Sequence, residues 1–215
     1  ITPAPGEKAR GLFATHRPTP GRVQSLDAYL ERLASKEAVP GGGSAAALTG
    51  ALAAALVAMV GRIGAAPIEG LVPEADALRE ELAEARLLDE AAYAAVITAQ
   101  ALPKGTDAER SERRRALDDA LARAAQVPLD AAGLSLRVLR LDDRLARIPK
   151  SALASDVGCA AELAHAALAA CAYNVRVNHR YMREGPIVRE QAAQLVRYEG
   201  EASQILARVR AALSL

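Results

Sequence analysis

Between Ala45 and Gly61 the chain runs for 17 residues without a charge, directly behind three glycines: PGGGSAAALTGALAAALVAMVG. An uncharged run of that length must hide most of its surface. Just short of the 18 or more residues expected of a membrane span, and largely alanine, it reads as the central buried helix of a helical protein. Only 3% of the chain is aromatic, with one Phe and no Trp, so the core is built mainly from Ala, Leu and Val. Such small side chains fill little volume and require helices to pack at short range.

The rest of the sequence repeats the helical pattern, and no strand is convincing. Ser25 caps a first helix, SLDAYLERLASKE, with Leu26, Tyr29, Leu30 and Leu33 on one face. Pro40 and the glycines end it, and the central helix is expected from about Ser44 to Arg62. Pro73 suits the first turn of a third helix reaching about Leu102. Asp107 can cap a fourth, which Pro128 should kink or split because proline has no amide donor. RIPKSALASD leads into a helix to about Arg183, and EGPIVRE starts the last. The expected fold is all-α, an antiparallel bundle of five to six helices around a long Ala-rich one. Residues 1–24, rich in Pro and Gly, read as a flexible tail, and residues 25–215 as a single helical domain.

Several partner classes are disfavoured. With 27 basic and 26 acidic residues the net charge is +1. That balance lacks the basic excess of a nucleic-acid binder, and no membrane partner is expected. Cys159 and Cys171 are 12 residues apart in one helical pattern, about 18 Å, so they cannot form a disulfide within it. Free thiols fit a reducing cytosol, hence a cytoplasmic location. His165 and His179 lie about 21 Å apart on a helix and cannot share a metal ion there.

The glycine turn is the strongest candidate site. A glycine admits close approach by another group, and the first turn of a helix presents unpaired N–H donors at its positive end. Gly41, Gly42, Gly43 and Ser44 could therefore hold a carboxylate or phosphate, with Ser44 capping the helix or offering its hydroxyl. A plain reversal between packed helices would use the same residues. No Lys follows the glycines as a P-loop requires, and no strand precedes them as a dinucleotide fingerprint requires.

The stretch SLDAYLERLASKEAVPGGGSAAALTGALAAALVAMV resembles the opening of the cyclodeaminase/cyclohydrolase family. That family contains the C-terminal half of formiminotransferase-cyclodeaminase and stand-alone methenyltetrahydrofolate cyclohydrolases. Further stretches agree in order: Asp89, Tyr93, Leu102-Pro103-Lys104 and Val127-Pro128-Leu129 in the middle, then Ser155-Asp156 and Asn174-Val175-x-x-Asn178. One segment departs. Many relatives carry asparagines before the Ser-Asp pair, whereas here Lys150 and Ser151 stand there.

The resemblance implies an all-helical homodimer acting on one-carbon derivatives of tetrahydrofolate. A cyclodeaminase closes 5-formiminotetrahydrofolate to 5,10-methenyltetrahydrofolate and releases ammonia. A cyclohydrolase opens the methenyl ring with water to 10-formyltetrahydrofolate. Neither needs a metal or redox cofactor, because the one-carbon unit keeps its oxidation level. Both need a general acid–base group within hydrogen-bond reach. Asp156, Asp89 and Lys104 are the candidates for that chemistry. Gly41, Gly42, Gly43, Ser44, Tyr93, Ser155, Asn174 and Asn178 are the candidates for binding folate. Each also has an ordinary reading: a helix-dipole charge for Asp156, a rim pair for Asp89 and Tyr93, a solvated Lys104, and helix-to-helix hydrogen bonds for the asparagines. A non-catalytic folate-binding or scaffold protein of the same fold is the alternative function.

Overall fold

The uncharged run forms a helix that begins where side chains are absent. The computed structural model describes residues 25–64, 68–148 and 152–213. Its helices are α1 (Leu26–Leu33), α2 (Gly42–Ile63), α3 (Leu71–Gln100), α4 (Asp107–Ala146), α5 (Ala154–His179) and α6 (Pro186–Leu213). Among the described residues there is no strand. The expected tail, residues 1–24, lies outside them.

The chain divides into two units between Pro40 and Gly41. In the first, Ser25 caps α1 as expected, its hydroxyl accepting the Ala28 N–H at 3.2 Å. The helix stops at Leu33, and Arg32 turns back to the Val39 carbonyl (3.2 Å) and the Glu37 carboxylate (3.3 Å).

In the second unit α2 packs against α3, α4 and α5, while α6 packs against α4 and α5. The core is aliphatic throughout, with Ala53, Ala54, Val57, Leu78, Leu82, Leu129, Leu139, Ala160, Leu168 and Val209 shielded from solvent. Among the described residues only α2 is long and apolar enough to cross a membrane, and most of its apolar window is buried inside the protein. Its outward stripe, Ala45, Leu48, Thr49, Leu52, Ala55, Leu56 and Met59, is uncharged, and Leu52 is 52% exposed.

Three local expectations are corrected. Helix α2 starts at Gly42, with Gly41 as an extended N-cap that offers no side-chain bond, so Ser44 lies inside the first turn. Helix α4 is capped by Thr106, not Asp107. The Thr106 hydroxyl accepts the Glu109 N–H (3.2 Å) and the Glu109 carboxylate accepts the Thr106 N–H (2.8 Å), a reciprocal capping box. Pro128 neither splits nor ends α4, which runs unbroken for 40 residues. A proline at 128 leaves the Ala124 carbonyl without its intrahelical donor. Asn178 of α5 supplies that donor, its Nδ2 lying 2.8 Å from the Ala124 oxygen.

Candidate active site

The site is built where α3 and α5 meet the head of α2. Helix α3 carries Asp89 to that head, and the Asp89 carboxylate accepts the backbone N–H of Ser44. A Cβ built on Gly43 would stand 2.5 Å from the Asp89 Cγ and 2.7 Å from its Oδ2. No side chain fits there, so Gly43 is the position at which the turn requires glycine. The anion held by the helix head is thus one of the protein's own. Gly42 differs: its Cβ would meet the Asn174 side chain at an ordinary 3.7 Å, and Gly41 faces open space.

Ser44 is fully buried, and its hydroxyl donates to the Glu90 Oε1 at 3.2 Å. Two consecutive carboxylates therefore hold one residue, Asp89 by its N–H and Glu90 by its O–H. Arg86, one turn earlier on α3, stands 3.6 Å from Glu90. From α5, the buried Cys171 is near enough to feel the Asp89 charge. Burial, with the Asp89 charge adding, pushes its thiol up to about 12.

These surroundings set the Asp89 proton. Burial raises its pKa, the Ser44 N–H opposes that, and the neighbouring Glu90 adds to it, giving about 6. A carboxyl group poised there can both accept and donate a proton near neutral pH, as general acid–base catalysis requires. Asn174 lines the other side of Gly42, and its Nδ2 is taken by the Ala170 carbonyl at 2.9 Å.

The structure brings Gly42, Gly43, Ser44, Asp89 and Asn174 together. Tyr93 follows one turn beyond Asp89 on α3, with 44% of its surface exposed. Asn178 sits a turn beyond Asn174, with its Nδ2 shared between the Ala124 carbonyl and the Asn174 carbonyl at 3.0 Å. Lys104 is exposed in the turn after α3, about 15 Å or more along the chain axis from Asp89. Ser155 and Asp156 open α5, 18 residues and about 27 Å along the helix from Asn174. They stand at the opposite end of the same rod. Lys150 and Ser151 lie outside the described residues.

Sequence reasoning missed Glu90, Arg86 and Cys171. The i,i+4 spacing of Arg86 and Glu90 was the available signal for the first two. It also missed a chain of amides that ties three helices. His179 Nε2 lies 2.9 Å from the Gln191 Oε1, Gln191 Nε2 donates to Gln126 (2.9 Å), and Gln126 Nε2 donates to Asp130 (2.8 Å). Burial raises Asp130 to about 6 against that last bond.

An all-helical bundle with a carboxylate seated over a glycine at the head of its central helix defines a folded scaffold with an acid–base group. Residues 25–197 match the model of the formiminotransferase-cyclodeaminase family, and the chain belongs to that family. The methenyltetrahydrofolate cyclohydrolase of Methylorubrum extorquens is 31% identical over 195 residues, covering 86% of this chain and 94% of that protein. The formimidoyltransferase-cyclodeaminase of Rattus norvegicus is also 31% identical, over 74% of this chain and only 31% of its own length. The fold is shared with the crystal structure of formiminotetrahydrofolate cyclodeaminase from Thermotoga maritima. There the TM-score is 0.78 at 25% identity, over 89% of this chain and 96% of that one.

Proposed function

We propose that this chain is a folate one-carbon enzyme that makes or breaks bonds at the carbon bridging the two reactive nitrogens of tetrahydrofolate. Its relatives are named for the two forms of that chemistry, cyclohydrolase and cyclodeaminase. The observation that carries the reading is the Asp89 carboxyl, half-buried over Gly43 with its pKa near 6.

In hydrolysis, water adds to the methenyl carbon and gives a proton to Asp89. The bond from that carbon to nitrogen 5 then breaks as the adduct's hydroxyl becomes the formyl carbonyl and releases its remaining proton to solvent, and Asp89 returns its proton to the departing nitrogen. In deamination, nitrogen 10 attacks the formimino carbon and loses its proton to Asp89, which passes it to the leaving amino group as ammonia departs. Both routes pass through one tetrahedral carbon, so one acid–base group serves either. The methenyl bridge is cationic, and the paired charges of Asp89 and Glu90 suit it. Gly42, exposed beside Asn174, leaves backbone surface for the ligand. Lys104, exposed in the turn after α3, is available to the glutamate carboxylates of folate.

We also propose that two copies pair through the uncharged outer stripe of α2, and that the chemistry uses no metal or redox cofactor. A charge-free, partly exposed stripe of that length, with Leu52 at its exposed centre, supports an interface.

The test follows near-ultraviolet absorbance of 5,10-methenyltetrahydrofolate with purified protein. Loss faster than the spontaneous rate reports hydrolysis, and growth from the 5-formimino compound reports deamination. Neither change, in protein that binds tetrahydrofolate tightly, would overturn the catalytic reading and leave a binding protein.

A further inference from the structure

We infer that Glu90 is a positioning residue for Asp89: by taking the Ser44 hydroxyl while Asp89 takes the Ser44 N–H, it fixes the reactive carboxylate over Gly43 and holds a second negative charge beside it. This rests on the acid–base reading of Asp89 above. The geometry makes one residue of α2 the anchor for two adjacent residues of α3. Ser44 is fully buried, and its hydroxyl meets Glu90 across 46 residues of sequence. Fixing Glu90 on Ser44 fixes the rotation of α3 about its axis, and with it where Asp89 points. The Gly43 contact allows that point no slack, because the carboxylate fills the volume of a missing side chain.

The titratable groups facing Asp89 are Glu90 on its own helix and Cys171 on α5. Helix α2 brings the Ser44 N–H, and Arg86 stands behind Glu90. No group of α4 is among those that shift it. Cys171 is neutral at working pH because its thiol is pushed to about 12. Glu90 is therefore the charged side chain that favours the protonated form of Asp89. Arg86, 3.6 Å from Glu90, moderates that effect.

The test is carbon-13 carboxyl titration of Asp89 in the full chain, read without substrate, beside the pH dependence of methenyltetrahydrofolate turnover. Glu90→Gln keeps an oxygen to accept the Ser44 hydroxyl but removes the charge. Its Asp89 midpoint should fall by roughly half to one pH unit, and the acid limb of turnover should move down with it. Arg86→Gln should move both the other way. A variant with only a packing role would lower thermal stability and leave the midpoint where it was. An unchanged midpoint in Glu90→Gln, or, should that variant not fold, in Arg86→Gln, overturns the inference. Because the midpoints are read without folate, midpoints that move in a protein with no turnover would sink the enzymatic reading alone.

Discussion

Asp89 occupies the volume that a side chain on Gly43 would need, with the built Cβ 2.5 Å from its Cγ. A helix head and an acid 46 positions away are thus made for each other. The glycine admits the acid, and the first-turn N–H of Ser44 receives it.

Gly43→Ala must therefore displace the Asp89 carboxylate. Turnover is expected to fall by about 100-fold or more, the contribution typical of an acid–base group. Gly200 on α6 is the control. It faces open space, so Gly200→Ala should stabilise the protein by about 1 kcal/mol and leave turnover unchanged. Steady-state rates and urea unfolding of the two variants read both outcomes.

Asn178 should matter to stability through Pro128. Removing its amide in Asn178→Ala leaves the Ala124 carbonyl without a donor, at a cost of about 1–3 kcal/mol. In a Pro128→Ala background the helix regains its own N–H for that carbonyl. The same Asn178 substitution should then cost less. A double-mutant cycle by urea denaturation measures the difference.

Asp142 is fully buried on α4, and neither of its oxygens has a hydrogen-bond partner. Burial, with Asp143 adding, raises its pKa to about 8. A raised carboxyl pKa means the folded state binds the proton more tightly than the unfolded chain. Stability is then greatest below the unfolded value near 4 and is lost as pH rises through about 8. Asp142→Asn should match the parent at pH 4 and exceed it at pH 9 by roughly 5 kcal/mol. Thermal melts at the two pH values check the divergence.

Leu52→Glu places a charge in the middle of the uncharged stripe on α2, where Leu52 is 52% exposed. If two copies meet there, the variant should sediment as a folded monomer at concentrations where the parent is a dimer. A parent that sediments as a monomer would remove the stripe from the account.

The helices were legible because their causes are local. The charge-free run has to be buried, and the Thr106–Glu109 pair that caps α4 stands in plain sequence beside Asp107, a residue equally able to cap. Pro128 misled for the opposite reason: what preserves α4 is an asparagine 50 residues further on, which no window around the proline contains. The site divides the same way. Gly43, Ser44, Asp89 and Asn174 could be named one by one. That Asp89 itself is the anion at the helix head, and that Glu90 shares its anchor, depends on how far α3 is turned against α2. Side-chain spacing along α3 does not encode that angle. Ser155 and Asp156 match the family in their order along the chain, and the 18 residues from Asp156 to Asn174 already set them about 27 Å apart on one helix, which α5 is.

The most direct test of the account is the pH dependence of methenyltetrahydrofolate turnover in the parent and in Asp89→Asn. Asp89 as base must be ionised, so kcat/KM should rise with pH through about 6 and then level, in step with its pKa. Asp89→Asn should lose at least about 100-fold and the limb together. An Asp89→Asn protein that keeps both the rate and the limb would contradict the claim that this carboxylate moves the proton.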